Sequence, residues 1–250
     1  MGYRGIVNGW GVPGAATRAK QLVRRGRWPA DIDVWHIALE LDRSPADIPF
    51  LDDDEQARTM RYRLRADQIR FAETRSVLRE LLAGYMRSDP VTVRFALSAR
   101  GKPKLDAATA AGLSFNVSHA GAHALIAVSR RRNVGVDIEQ VDETLDWREL
   151  AMLACTDDER CSLEEVTGGQ QHALFFRCWT AKEALLRALG LGITEGLQAL
   201  TVDLLDGVET TSPGVVAQAS QFAEAKGLTC CWLDDVPGYA GCLAYGPAGP

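Results

Sequence analysis

The sequence predicts an α+β fold of two similar halves packed side by side, each with one long helix on a small, mostly antiparallel sheet. Three observations carry that expectation. A strand-like segment, a long helical pattern and further short strands follow one another once in each half of the 250 residues. The two helical patterns, from Asp52 to about Tyr85 and from Gln170 to Leu189, show apolar residues at three- and four-residue steps. The remaining apolar runs are short and bounded by Gly, Pro and polar turns, as strands are. The similarity of the halves lies in this rhythm; no repeat of residues is visible.

Taken in order, residues 1–31 hold six glycines and a basic run from Arg18 to Arg27, and read as an extension without its own core. Asp33 to Leu39 has strand composition. The first helical pattern opens on Asp52–Asp54 and carries Leu78, Leu81, Leu82 and Tyr85, with Gly84 and Pro90 to end it. Strands are expected at Val91–Ala96, Leu113–Val117, Ala122–Val128 and Asn133–Glu139, with a tight turn at Arg100–Pro103. Thr156 and Glu159 form a capping box that opens another helix. The second long helix carries Leu174, Cys178, Leu185 and Leu189 on one stripe and meets a terminating Gly190. Leu200–Leu204, Thr229–Leu233 and Tyr239–Tyr245 close the chain as strands. The boundaries expected are an extension over residues 1–32, a first half over 33–130 and a second half over 131–250.

Composition narrows the function classes. The net charge of −5 speaks against nucleic acid, whose binders carry a basic footprint. No run of 18 apolar residues offers a membrane span, and the N-terminus lacks the apolar stretch of a secretory signal. Six cysteines without CxxC spacing suit a reduced compartment better than a disulfide framework or a zinc site, so a cytoplasmic protein is expected. Seven arginines, from Arg58 to Arg79, lie in one stretch; guanidinium suits phosphate, but taken alone the stretch reads better as an ordinary solvated helix face in an Arg-rich chain.

Four constellations carry chemistry. In Gly135-Val136-Asp137-Ile138-Glu139 the two acids lie two apart, so a strand projects them to one face. Adjacent carboxylates repel unless a cation lies between them, and hard oxygen ligands select magnesium or calcium. A strand end reaching solvent is the ordinary alternative. In Trp179-Thr180-Ala181-Lys182-Glu183-Ala184-Leu185-Leu186-Arg187, Glu183 and Arg187 share a helix face. They are either a surface ion pair contributing about 0.3–0.5 kcal/mol, or Glu183 is a third metal ligand or a general base and Arg187 a cation for a phosphate. Phe115-Asn116-Val117-Ser118-His119 sets a hydroxyl and an imidazole at a strand end, without the G-x-S-x-G of a hydrolase. Gly101-Lys102-Pro103 puts a cation on a rigid turn.

The order GKP, FNVSH, VGVDIE, WTAKEALLR resembles the larger, surfactin-type family of 4′-phosphopantetheinyl transferases, over roughly residues 33 to 245. That resemblance implies a pseudo-twofold arrangement of the halves with coenzyme A in the cleft between them. It implies an Mg²⁺-dependent transfer of the phosphopantetheine arm of coenzyme A to a serine of an apo acyl or peptidyl carrier protein. Carriers of fatty acid, polyketide or nonribosomal peptide synthesis all qualify as partners. Residue by residue, Asp137, Glu139 and Glu183 correspond to the metal ligands, and Ser118 and His119 to contacts of the nucleotide phosphates. Arg100 and Lys102 correspond to the basic turn at the nucleotide end, and Arg61, next to Tyr62, to a helix cation near the adenosine phosphates. Lys182, Glu183 and Arg187 form the expected catalytic group. Two positions depart from the family pattern: Ala120 replaces a polar residue, and Arg187 replaces lysine. Arginine keeps the charge but donates no proton at ordinary pH. A monomer is expected, because both halves lie in one chain. Alternatives are a coenzyme A or carrier-binding module without catalysis, and a metal-dependent nuclease, whose D…E-x-K order is absent.

Overall fold

The computed structural model describes residues 18–98, 101–106, 112–167, 169–191, 196–204, 215–217 and 227–249. Its elements are β1 (Ala19–Gln21), β2 (Ile32–Ala38), α1 (Asp53–Arg61), α2 (Arg65–Met86), β3 (Phe95–Leu97), β4 (Pro103–Leu105), β5 (Ser114–Ala120), β6 (His123–Ser129) and β7 (Val134–Gln140), followed by α3 (Trp147–Ala154), α4 (Asp157–Glu165), α5 (Gln170–Leu189), β8 (Leu200–Val202), β9 (Val215–Ala217), β10 (Thr229–Trp232) and β11 (Tyr239–Tyr245).

The mixed α+β class expected from the sequence is what the chain adopts. Four strands in the order β1-β2-β6-β5 form one antiparallel sheet, and β10-β11-β7 form another; β3-β4 and β8-β9 are small separate pairs. Three apolar clusters stack the layers. Helix α2 buries Val77, Leu78, Leu81 and Leu82 against Ile37, Phe115, Ile126 and Val128 of the four-stranded sheet. Helix α5 buries Phe175, Cys178, Ala181 and Leu185 against Cys230, Cys242 and Ala244 of the three-stranded sheet. Between the sheets, Ile32, Val34 and Leu125 meet Val134, Val136, Ile138 and Leu243. Strand β7 therefore has Val134, Val136 and Ile138 on the inter-sheet face and Gly135, Asp137 and Glu139 on the face toward α5, as a period of two requires.

Four local expectations need correction. The first helical pattern is two helices, broken where Tyr62 and Leu64 are extended. The break folds α1 back so that Glu55 and Asp52 pair with Arg79, and Glu55 with Arg75. Glu55 and Arg79 are 24 residues apart, about 36 Å on a continuous helix, so the pairing requires the break. Arg79 is thereby fully buried, and the solvated-face explanation fails for it. Pro90–Thr92, capped by the Asp89 side chain, takes a 3₁₀ turn, so the next strand is only Phe95–Leu97. Residues 18–31 do join the core, because β1 pairs with β2 and Leu22 and Trp28 are buried between the sheets. Helix α3 lies outside the expected set, although Asp146 caps it and Trp147, Ala151 and Ala154 are its buried stripe. Among the described residues no helix is long and apolar enough to cross a membrane.

Candidate active site

The close approach of β7 to α5 builds the site. A Cβ on Gly135 would stand 2.5 Å from the backbone nitrogen of Ala188 and closer still to the carbonyl oxygen of Ala184. Only glycine on the strand, facing alanines on the helix, lets the two backbones meet at this distance. Two residues on, Asp137 is fully buried, and Glu139 is half-buried at the strand end. Glu183, 3% exposed, and Arg187 extend toward them from α5, one helical turn apart.

The carboxylates are tied into a tight group. The Ser118 hydroxyl donates to Asp137 Oδ1 at 2.6 Å. Arg187 Nη2 lies 3.1 Å from the same Oδ1 and 2.7 Å from Glu183 Oε2, and its Nη1 donates to the Val117 carbonyl at 3.1 Å. Asp137 Oδ2 is buried without a partner among the described residues. Burial pushes the Asp137 carboxyl well above its usual range; Arg187 opposes this and Glu183 reinforces it. Burial, then Glu183, raises Glu139 to about 7. Burial also works against the Arg187 charge, but Asp137 and Glu183 outweigh it and leave the guanidinium more basic than usual. Acids raised together, with a buried oxygen left unpartnered, describe a place short of positive charge. A hard divalent cation held by oxygens fits that deficit.

A cleft of about 470 Å³ opens above this group. Ser118, His119, Lys102 and Arg187 line it, as do Arg58, Tyr62, Phe71, Thr74, Arg75 and Leu191. His119 is exposed on the cleft wall, yet desolvation there, with Arg70 and Arg187 nearby, holds the imidazole below its ordinary range. Lys102 is lowered to about 8, chiefly by burial and then by Arg187. Its ammonium donates to Arg187 O at 2.7 Å and Val134 O at 3.2 Å, tying the turn of the first half to the end of α5.

The structure brings Asp137, Glu139, Glu183, Arg187, Ser118, His119 and Lys102 together. Other residues of the expected set fall elsewhere. Lys182 is wholly buried on the far side of α5, paired with Glu159 and donating to Ala154 O at 2.7 Å and Leu197 O at 2.8 Å. It is a strut between α4 and α5 and does not reach the cleft, so the catalytic expectation for it is corrected. Glu159 also lies beside Cys155 and Cys178, a group with metal-ligand spacing, but Lys182 already supplies the cation there. Ser118 spends its hydroxyl on Asp137. Arg61 is exposed at the end of α1 and outside the cleft lining; Arg58, one turn earlier, occupies the wall instead. Arg100 lies outside the described residues. Sequence reasoning missed Arg58 and Arg75 as site residues: the arginine run signalled them, but only the break after Arg61 decides which members face inward.

Comparison with known proteins agrees with the geometry. A profile described as the 4′-phosphopantetheinyl transferase superfamily matches residues 133–227, and one for the N-terminal part of 4′-phosphopantetheinyl transferases matches residues 43–131. The 4′-phosphopantetheinyl transferase HetI of Nostoc sp. is 36% identical over 168 residues, covering 66% of this chain and 71% of its own. The putative 4′-phosphopantetheinyl transferase slr0495 of Synechocystis sp. is 33% identical, covering 68% and 69%. The shorter match to 4′-phosphopantetheinyl transferase AcpT of Salmonella typhimurium is 37% identical over 36% of this chain and 46% of that one. With the acids of β7 and α5 in place beneath a basic cleft, and relatives matched over two thirds of their length, this chain belongs to the 4′-phosphopantetheinyl transferase superfamily.

Proposed function

We propose that the chain transfers the 4′-phosphopantetheine arm of coenzyme A to a serine hydroxyl of an apo acyl or peptidyl carrier protein, releasing adenosine 3′,5′-bisphosphate, with Mg²⁺ as cofactor. The observation that carries this reading is the convergence of Asp137, Glu139 and Glu183 beneath a cleft whose walls hold Arg58, Arg75, Lys102 and His119. The unpartnered Oδ2 of Asp137 and the oxygen-only donor set fit a magnesium ion held by these three acids. Such an ion, when bound, would neutralise the diphosphate and make its pantetheine-side phosphorus a better electrophile.

The protein's own groups do the rest. Phe71, Leu191 and the aliphatic wall can shelter the adenine, and Arg58, Arg75 and His119 offer donors to its phosphates. In the transfer, the carrier serine oxygen forms a bond to the pantetheine-side phosphorus. The diphosphate P–O bond breaks, and its electron pair leaves on the adenosine bisphosphate. In this reading Glu183 takes the serine proton, and Arg187 stabilises the charge that develops on the phosphate oxygens. In this reading residues 33–130 supply the nucleotide contacts and residues 131–250 the carboxylates, as two halves of approximate twofold symmetry. One cytoplasmic monomer then carries both sets.

The test is intact-mass analysis of several apo-carrier proteins after incubation with coenzyme A and Mg²⁺. Addition of one phosphopantetheine group, blocked by EDTA and absent in Glu183→Gln, is the expected result. No mass gain on acyl, polyketide or peptidyl carriers would overturn the reading.

A further inference from the structure

Arg187 stands among the acids that would hold a metal ion at the floor of the cleft. A single nitrogen, Nη2, spans Asp137 Oδ1 and Glu183 Oε2, acids from two different elements. The positive charge that holds these carboxylates together is therefore the protein's own side chain. The fit is partial. Asp137 Oδ2 and Arg187 Nε are both buried and unpartnered among the described residues, so the guanidinium leaves acceptor capacity in the pocket unused and wastes one of its donors.

A magnesium ion bonded to the free Asp137 Oδ2 at about 2.0–2.1 Å and to Glu183 would draw on the same two carboxylates that Nη2 now bridges, setting two positive groups against one pair of acids. Repulsion between ion and guanidinium across these acids favours release of the guanidinium. Resting on the reading of Asp137, Glu139 and Glu183 as metal ligands, we propose that Arg187 is a built-in counter-cation that closes the metal-free site and is displaced from Asp137 and Glu183 when a divalent cation binds. The displaced head group has a destination, because Arg187 already lines the cleft in which the coenzyme A diphosphate is proposed to lie. It exchanges carboxylate oxygens for phosphate oxygens, both of which suit its forked geometry. Arginine at this position thus lowers the intrinsic affinity for the metal and keeps the buried acids from repelling one another while the metal is absent.

Calorimetric titration of Mg²⁺ into the full chain without coenzyme A tests this, using wild type, Arg187→Met, Arg187→Lys and Asp137→Asn. Removing the competitor should tighten Mg²⁺ binding by about tenfold or more in Arg187→Met, the scale of one charge-assisted hydrogen bond that the ion no longer has to displace. The same variant should melt at a lower temperature than wild type in EDTA and gain more from saturating Mg²⁺. Arg187→Lys, which keeps the charge and folds more readily, should shift in the same direction by less. An unchanged or weaker Mg²⁺ affinity in both Arg187 variants would overturn the displacement while leaving the ligand reading intact, provided Asp137→Asn loses the metal. If Asp137→Asn binds Mg²⁺ like wild type, the ligand reading itself fails, and the inference falls with it.

Discussion

Replacing Gly135 with alanine isolates the close approach on which the whole site depends. The added Cβ would lie 2.5 Å from Ala188 N and 3.1 Å from Ala184 C, where ordinary contact begins near 3.4 Å. Strand and helix must part by at least about 0.9 Å, and more where the Ala184 carbonyl oxygen intrudes. Every neighbour is backbone, so no flexible side chain can yield. The cost should lie at or above the top of the usual overpacking range, about 3 kcal/mol. For a chain of this size that corresponds to roughly 6–12 °C in melting temperature. The functional loss should exceed the stability loss, because Asp137 and Glu139 ride on the strand that moves and Glu183 on the helix that stays. A displacement of about 1 Å costs on the order of a hundredfold in turnover. Melting in EDTA gives the first number, and phosphopantetheinylation per folded molecule, well below the melting temperature, gives the second. Gly241→Ala serves as the control: its Cβ would meet Leu233 O at 3.0 Å, so it should cost less and leave turnover nearly intact. Wild-type melting and turnover in Gly135→Ala would refute the argument that this glycine sets the spacing of the carboxylates.

Three further outcomes follow from the same geometry. Because burial raises Glu139 to about 7, this group holds more proton in the native state than in the unfolded chain from about pH 4.5 to 7, and Asp137, raised chiefly by burial as well, acts in the same direction. The Glu139 contribution to metal-free stability therefore falls as pH rises through that window; Glu139→Gln should flatten the slope in denaturant melts, and an identical slope would count against it. Lys182→Met should cost about 3–5 kcal/mol by leaving Glu159 buried without its cation, yet preserve turnover per folded molecule, whereas Glu183→Gln should keep the fold and abolish transfer. Arg58→Ala and His119→Ala should each weaken coenzyme A binding by about 1–3 kcal/mol, the range for hydrogen bonds to charged groups; unchanged affinity in either would remove that residue from the nucleotide site.

What the sequence could tell, and what it could not, follows from the range over which each signal acts. Asp137 and Glu139 were legible because a strand's period of two fixes their common face whatever surrounds it. Glu183 and Arg187 were legible as neighbours because helical spacing makes them so, but nothing local says that Arg187 also reaches Asp137 on another element. Lys182 shows the limit most sharply. It adjoins Glu183 in sequence, yet successive helix positions point about 100° apart, so one residue meets the cleft and the other a buried acid from α4. The break between α1 and α2 was hidden for a related reason. Residues 53–86 keep good helix formers throughout, and the turn at Tyr62–Leu64 is driven by arginines 75 and 79 meeting Glu55 from far along the chain. Local periodicity thus gives elements and shared faces, while the choice of which charges meet is made by the packing of α5 on β7 and of α1 on α2. Arg187 belongs to both levels: its helix face is readable from spacing, and its place between two acids exists only because Gly135 lets that helix come close.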